Sequence, residues 1–161
     1  MNAKQKKFIL KKLIPFIARE HGRGFAMSTW LTRKPEGMTL FVDEVERPVP
    51  VCGTVACLGG STQVLSIYRP RKNVYHNNVI KQLSGTLGLT PAQANGLFYH
   101  WEPNDDQGYS YSWPKTFATQ FYRAKTPYGK AMVAVRLLKK VVATNGECLK
   151  SRRYDSGFVG D

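Results

Sequence analysis

Ten residues constrain this chain more than any other stretch: Val51-Cys52-Gly53-Thr54-Val55-Ala56-Cys57-Leu58-Gly59-Gly60. They follow Arg47-Pro48-Val49-Pro50, where alternate prolines lack an N–H donor and cannot run on as a regular helix. A helix is therefore expected to begin inside the block, with Thr54 as the cap whose hydroxyl accepts a free first-turn N–H. Cys57 then falls in the first turn, where the helix dipole favours thiolate over thiol. The same residues also suit a purely structural helix, with Val55, Ala56, Leu58, Val64 and Leu65 buried and cysteine acting as a small apolar side chain. Gly59 and Gly60 cost about 1 kcal/mol each relative to alanine inside a helix, so a neighbour is expected to approach their backbone closely. Pro70 closes the segment after Tyr68.

A chain of 161 residues can bury a core without disulfide staples. It carries three cysteines, an odd number that argues against a secreted disulfide framework. Cys52 and Cys57, if both helical, would lie about 140° apart around the axis. With no CxxC pair and Cys148 distant, neither a metal site nor a cofactor is expected. No run of about eighteen apolar residues exists that would span a membrane. At the N-terminus, Lys11 and Lys12 cut short the apolar run Phe8-Ile9-Leu10, which does not suit a signal peptide. The expected location is cytoplasmic.

Net charge is +13 and unevenly spread. Lys4, Lys6, Lys7, Lys11 and Lys12 crowd the first helix, and Lys150, Arg152 and Arg153 the C-terminal end. Arg69, Arg71 and Lys72 form a third cluster beside Tyr68. Acidic residues gather in the middle, at Asp43-Glu44-Val45-Glu46 and Glu102-Pro103-Asn104-Asp105-Asp106. This pattern suits a polyanion or an acidic protein as partner.

Elsewhere the chain reads as helices punctuated by Gly and Pro. Residues 3–21 form an amphipathic helix with Phe8, Leu13, Ile14, Phe16 and Ile17 on its apolar stripe, kinked at Pro15 and ended near Gly22. Met38–Val42 is the best strand, with 49–51 as a brief edge partner. A helix spans 77–87, and Thr90-Pro91 and Thr126-Pro127 each pair an N-cap with a first-position proline. Residues 116–123 make a short helix, and 130–143 the longest one, stopped by Asn145-Gly146. The expected fold is mainly α: an irregular multi-helix single domain over 1–146 with at most a minor β-hairpin. Residues 147–161 read as a loosely held basic tail.

Taken in order, Met27-Ser28-Thr29-Trp30, Cys52-Gly53-Thr54-Val55-Ala56-Cys57 with Gly59-Gly60, Leu87-Gly88-Leu89-Thr90-Pro91 and the closing Thr126-Pro127 helix carry a likeness. The chain resembles a set of uncharacterised small proteins of bacteriophages and bacteria that bear a CGTxxCxxG signature. The resemblance covers most of residues 3–146 and implies a phage or prophage setting. It brings no catalytic role.

Two functions are open at this level. The first is a small basic phage-type accessory protein that binds a host or phage protein, or nucleic acid through electrostatics without reading sequence. Its contacts are Lys4, Lys6, Lys7, Lys11, Lys12, Arg69, Arg71, Lys72, Lys150, Arg152 and Arg153. The alternative is a cysteine-dependent enzyme with Cys52 as nucleophile and His100 as its base, since a thiol near a helix start needs only a nearby imidazole for activation.

Overall fold

The computed structural model describes residues 1–27, 31–33, 39–42, 45–48, 54–66, 76–98, 101–104, 108–111 and 113–149. As expected, these form a mainly α single domain. The N-terminal rod starts as α1 (Ala3–Phe8), widens into a π turn (Ile9–Leu13) and resumes as α2 (Ile14–Ala18). The π turn has a local cause. Pro15 has no N–H and its ring would strike the carbonyl of Lys11 in a regular helix. The Ile14 N–H instead reaches back five residues to Ile9 O, so the rod passes Pro15 without breaking. A 3-10 turn (Arg19–Gly22) follows, with Glu20, His21 and Gly22 all at positive φ.

The Cys-Gly-Thr block folds differently from its sequence reading. Thr54 caps no helix: β4 (Thr54–Ala56) pairs antiparallel with β1 (Leu31–Arg33). Ala56 also exchanges backbone hydrogen bonds with the 24–26 segment, donating to Gly24 O at 3.0 Å and accepting from Ala26 N at 3.1 Å. Two β-branched residues that find distant backbone partners gain more from a strand than from a helical turn. Helix α3 (Leu58–Ser66) therefore starts at Leu58, and Cys57 takes the capping position. Its carbonyl accepts from Ser61 N at 2.8 Å, and its Sγ accepts from Gly60 N at 3.5 Å. Gly59 and Gly60 thus lie in the first turn, both buried.

The predicted strand at 38–42 is β2 (Thr39–Val42), which pairs with β3 (Val45–Pro48); the expected edge partner 49–51 lies outside the described residues. A third ribbon pairs β5 (Trp101–Asn104) with β6 (Gly108–Tyr111). Among the described residues each ribbon has two strands, and helices carry the core.

Those helices are α4 (His76–Leu87), α5 (Pro91–Phe98), α6 (Lys115–Arg123) and α7 (Pro127–Ala143). Their ends follow side-chain chemistry. Thr90 Oγ1 accepts from Gln93 N at 3.2 Å while Gln93 Oε1 accepts from Thr90 N at 2.9 Å, a reciprocal capping box. Thr126 Oγ1 accepts from Gly129 N at 3.0 Å. At the far end of α7, Gly146 N bonds to Val141 O and Asn145 N to Val142 O, the double closure of a helix that ends in a left-handed turn. Gly88 and Leu89 close α4 the same way onto Gly85 O and Ser84 O.

The core gathers around Trp113, Phe25 and Phe121, which meet edge to face and are joined by Ile9, Leu13 and Leu137. The buried Trp113 Nε1 donates to Leu97 O at 3.0 Å, tying the 113–114 corner to α5. Leu149 is buried against this core, so the first three residues of the expected tail, 147–149, belong to the domain.

Candidate nucleic-acid interface

Helix α1 begins with a second capping box. Asn2 Oδ1 accepts from Gln5 N at 3.0 Å and Gln5 Oε1 accepts from Asn2 N at 2.7 Å. Gln5 Nε2 also donates to Gly85 O at 3.0 Å, so one side chain both caps α1 and pins it to α4. Ile9, Leu13 and Ile17 face the core and are wholly buried. That orientation leaves Lys4, Lys7, Lys11 and Lys12 exposed, with Lys6 half-buried. The amphipathic reading of this segment therefore gives the correct solvent face.

Three glycines show how the helix ends meet. A Cβ on Gly22 would fall 2.7 Å from both Pro127 O and Ala131 Cβ, so the end of the N-terminal rod lies on the first turn of α7. α2 and the π turn also pack on α7, so rod and helix run antiparallel. Lys11 and Lys12 are thereby carried towards the C-terminal half of α7, where Lys139 and Lys140 are exposed. A Cβ on Gly88 would meet Gln5, and one on Gly146 would meet Leu89 Cδ2 at 2.5 Å and Gln93. The start of α1, the α4–α5 turn and the end of α7 consequently converge at one end of the molecule.

Arg136, one turn before Lys139 and Lys140, is exposed and its Nη2 donates to Gln120 Oε1 at 2.9 Å. It is held by a neutral amide rather than a carboxylate, which orients the guanidinium without cancelling its charge. Among the described residues, none of Lys4, Lys7, Lys11, Lys12, Arg136, Lys139 and Lys140 forms an ion pair. A shallow groove of about 540 Å³ opens along the N-terminal rod, bounded by Lys4, Phe8 and Lys12 on one side and by Leu65, Ser66 and Thr86 on the other.

Of the residues singled out in the sequence, the five N-terminal lysines are placed by the structure. Arg69, Arg71, Lys72, Lys150, Arg152 and Arg153 lie outside the described residues. So do Cys52 and His100, the pair on which an enzyme would depend. Cys57 is described, and its thiol is buried at the start of α3. Among the described residues, no group of His, Cys, Asp and Glu is assembled as a metal site. None of their helices is long and apolar enough to cross a membrane.

Arg136, Lys139 and Lys140 are not among the cations singled out from the sequence. Their spacing of three and four residues, opposite Ala134, Leu137 and Leu138, was the available signal. Compared with protein-family models, curated proteins and solved structures, the chain matches none.

Proposed function

We propose that this chain is a small phage-type accessory protein that binds a host or phage macromolecule, nucleic acid foremost, through charge and without reading sequence. The observation that carries this is the set of exposed cations on the N-terminal rod and α7, without carboxylate partners among the described residues. Such an array attracts phosphates and gains free energy from the counterions they release. Affinity should then follow phosphate density rather than sequence. The phage setting rests on the Cys-Gly-Thr signature and belongs to the same proposal.

The test is binding to duplex and single-stranded DNA as salt rises. Neutralising about six phosphates predicts roughly a thousandfold loss of affinity between about 50 and 200 mM salt. Reversing charge at Lys7, Lys11, Lys139 and Lys140 should abolish binding and leave the thermal midpoint nearly unchanged, because all four are exposed. No binding at low salt would overturn the proposal. Affinity that stays flat with salt would do so as well, since it would mean a partner held by apolar contacts.

A further inference from the structure

The groove beside the N-terminal rod combines three features that bulk charge does not require. Lys4, Phe8 and Lys12 line one wall at intervals of four residues, and among the described residues no carboxylate lines the groove. Steps of four overshoot a regular helical turn by about 40° each, which would carry Lys12 away from Lys4. The π turn at Ile9–Leu13 is wider and rotates less per residue, which brings Lys12 back to the groove. Phe8 is half-buried, its ring packed partly on the core and partly open to the groove.

We infer that this groove binds single-stranded nucleic acid, one base stacking on Phe8 while the flanking phosphates meet Lys4 and Lys12. The inference rests on the polyanion reading above and names the form of polyanion. Eight residues of helix span about 12 Å, the reach of two extended phosphodiester steps, with Phe8 midway. In a duplex the bases face inward and stack on one another, so the phenyl ring would meet none. An acidic peptide would satisfy the two ammonium groups but has nothing that requires an aromatic ring between them. An unstacked base does, and stacking of this kind tolerates any sequence. The groove volume of about 540 Å³ is in the range of small-ligand clefts. Opposite the lysines, Ser66 and Thr86 add hydroxyls whose own hydrogens are committed to Thr62 O and Gln82 O, leaving their oxygens as acceptors for base N–H groups.

The probes are a short fluorescein-labelled oligothymidine, a hairpin duplex and polyglutamate, measured by anisotropy at one low salt concentration and then across salt. The protein should bind the oligothymidine more tightly than the duplex. Phe8→Leu keeps the apolar packing but loses the stacking face, and should weaken oligothymidine binding about tenfold while duplex binding stays within about twofold. Gly85→Glu puts a carboxylate into the groove from a position with open space around its Cβ, and should give the same selective loss. It decides the matter if Phe8→Leu fails to fold. Lys4→Gln with Lys12→Gln should lower the salt slope for single strands by about 1.4. Equal binding of duplex and oligothymidine, or no selective effect of Phe8→Leu and Gly85→Glu, would overturn the groove assignment while the wider polyanion reading stands. Equal loss of polyglutamate and oligothymidine binding in Phe8→Leu would overturn it in favour of an acidic peptide. Failure to bind either nucleic acid at low salt would sink both readings.

Discussion

Alanine substitutions at Gly22 and Gly85 should have opposite effects, and the structure sets the size of each. Gly22 has φ of 75°, the left-handed region, where a Cβ costs about 1–2 kcal/mol. The added methyl would sit 2.7 Å from Pro127 O and from Ala131 Cβ. Both neighbours belong to the first turn of α7, and a backbone carbonyl cannot swing aside as the tip of a long side chain can. Relief requires the rod to move off α7, an overpacking cost of about 1–3 kcal/mol. Together these predict a loss of roughly 2–5 kcal/mol for Gly22→Ala. For a chain of this length each kcal/mol moves the midpoint by about 2–4 °C, so the melt should fall by roughly 4–20 °C. Gly85 is the internal control. It lies within α4, and its Cβ would have nothing within 4 Å. Gly85→Ala should stabilise by about 0.5–1 kcal/mol, chiefly by restricting the unfolded chain. Circular dichroism melts and urea titrations of the two variants beside the parent chain read both effects. A Gly22→Ala protein melting at or above the parent would refute the close packing of the rod on α7, and with it the convergence of the two sets of lysines.

Trp113→Phe should cost about 1–3 kcal/mol in urea unfolding, because it opens space in the core and leaves the buried Leu97 carbonyl without its indole donor. Thr90→Ala removes one half of the α5 capping box and should cost about 1 kcal/mol by the same measurement, and Thr90→Ser should recover most of it.

Much of the helical framework was legible locally. Thr90-Pro91, Thr126-Pro127 and Asn145-Gly146 mark helix boundaries because caps and left-handed turns are satisfied by residues only a few positions away. The buried stripe of α7 and the solvent-facing lysines of α1 follow from helical periodicity in the same way. The Cys-Gly-Thr block was not legible, because the partners of Ala56 lie about thirty residues back in the chain. A Thr-Val-Ala sequence serves as strand or helix start according to whether such a partner is present. The π turn shares this ambiguity: Pro15 announces a fault in the helix, but whether it kinks, breaks or widens depends on how Ile9, Leu13 and Ile17 must point to reach the core.

Charge shows the same division. Composition and spacing establish that the chain is basic and that its first helix wears lysines on its outer face, since these are properties of single segments. They leave open which segments lie side by side. That was decided by Gly22 on α7, Gly88 on Gln5 and Gly146 on Leu89, three close approaches at positions with positive φ where any side chain would collide. Periodicity gives each helix a buried face but assigns no neighbour to it. The pairing of faces, and so the gathering of Lys11, Lys12, Lys139 and Lys140 towards one end, comes only from contacts between residues distant in the chain.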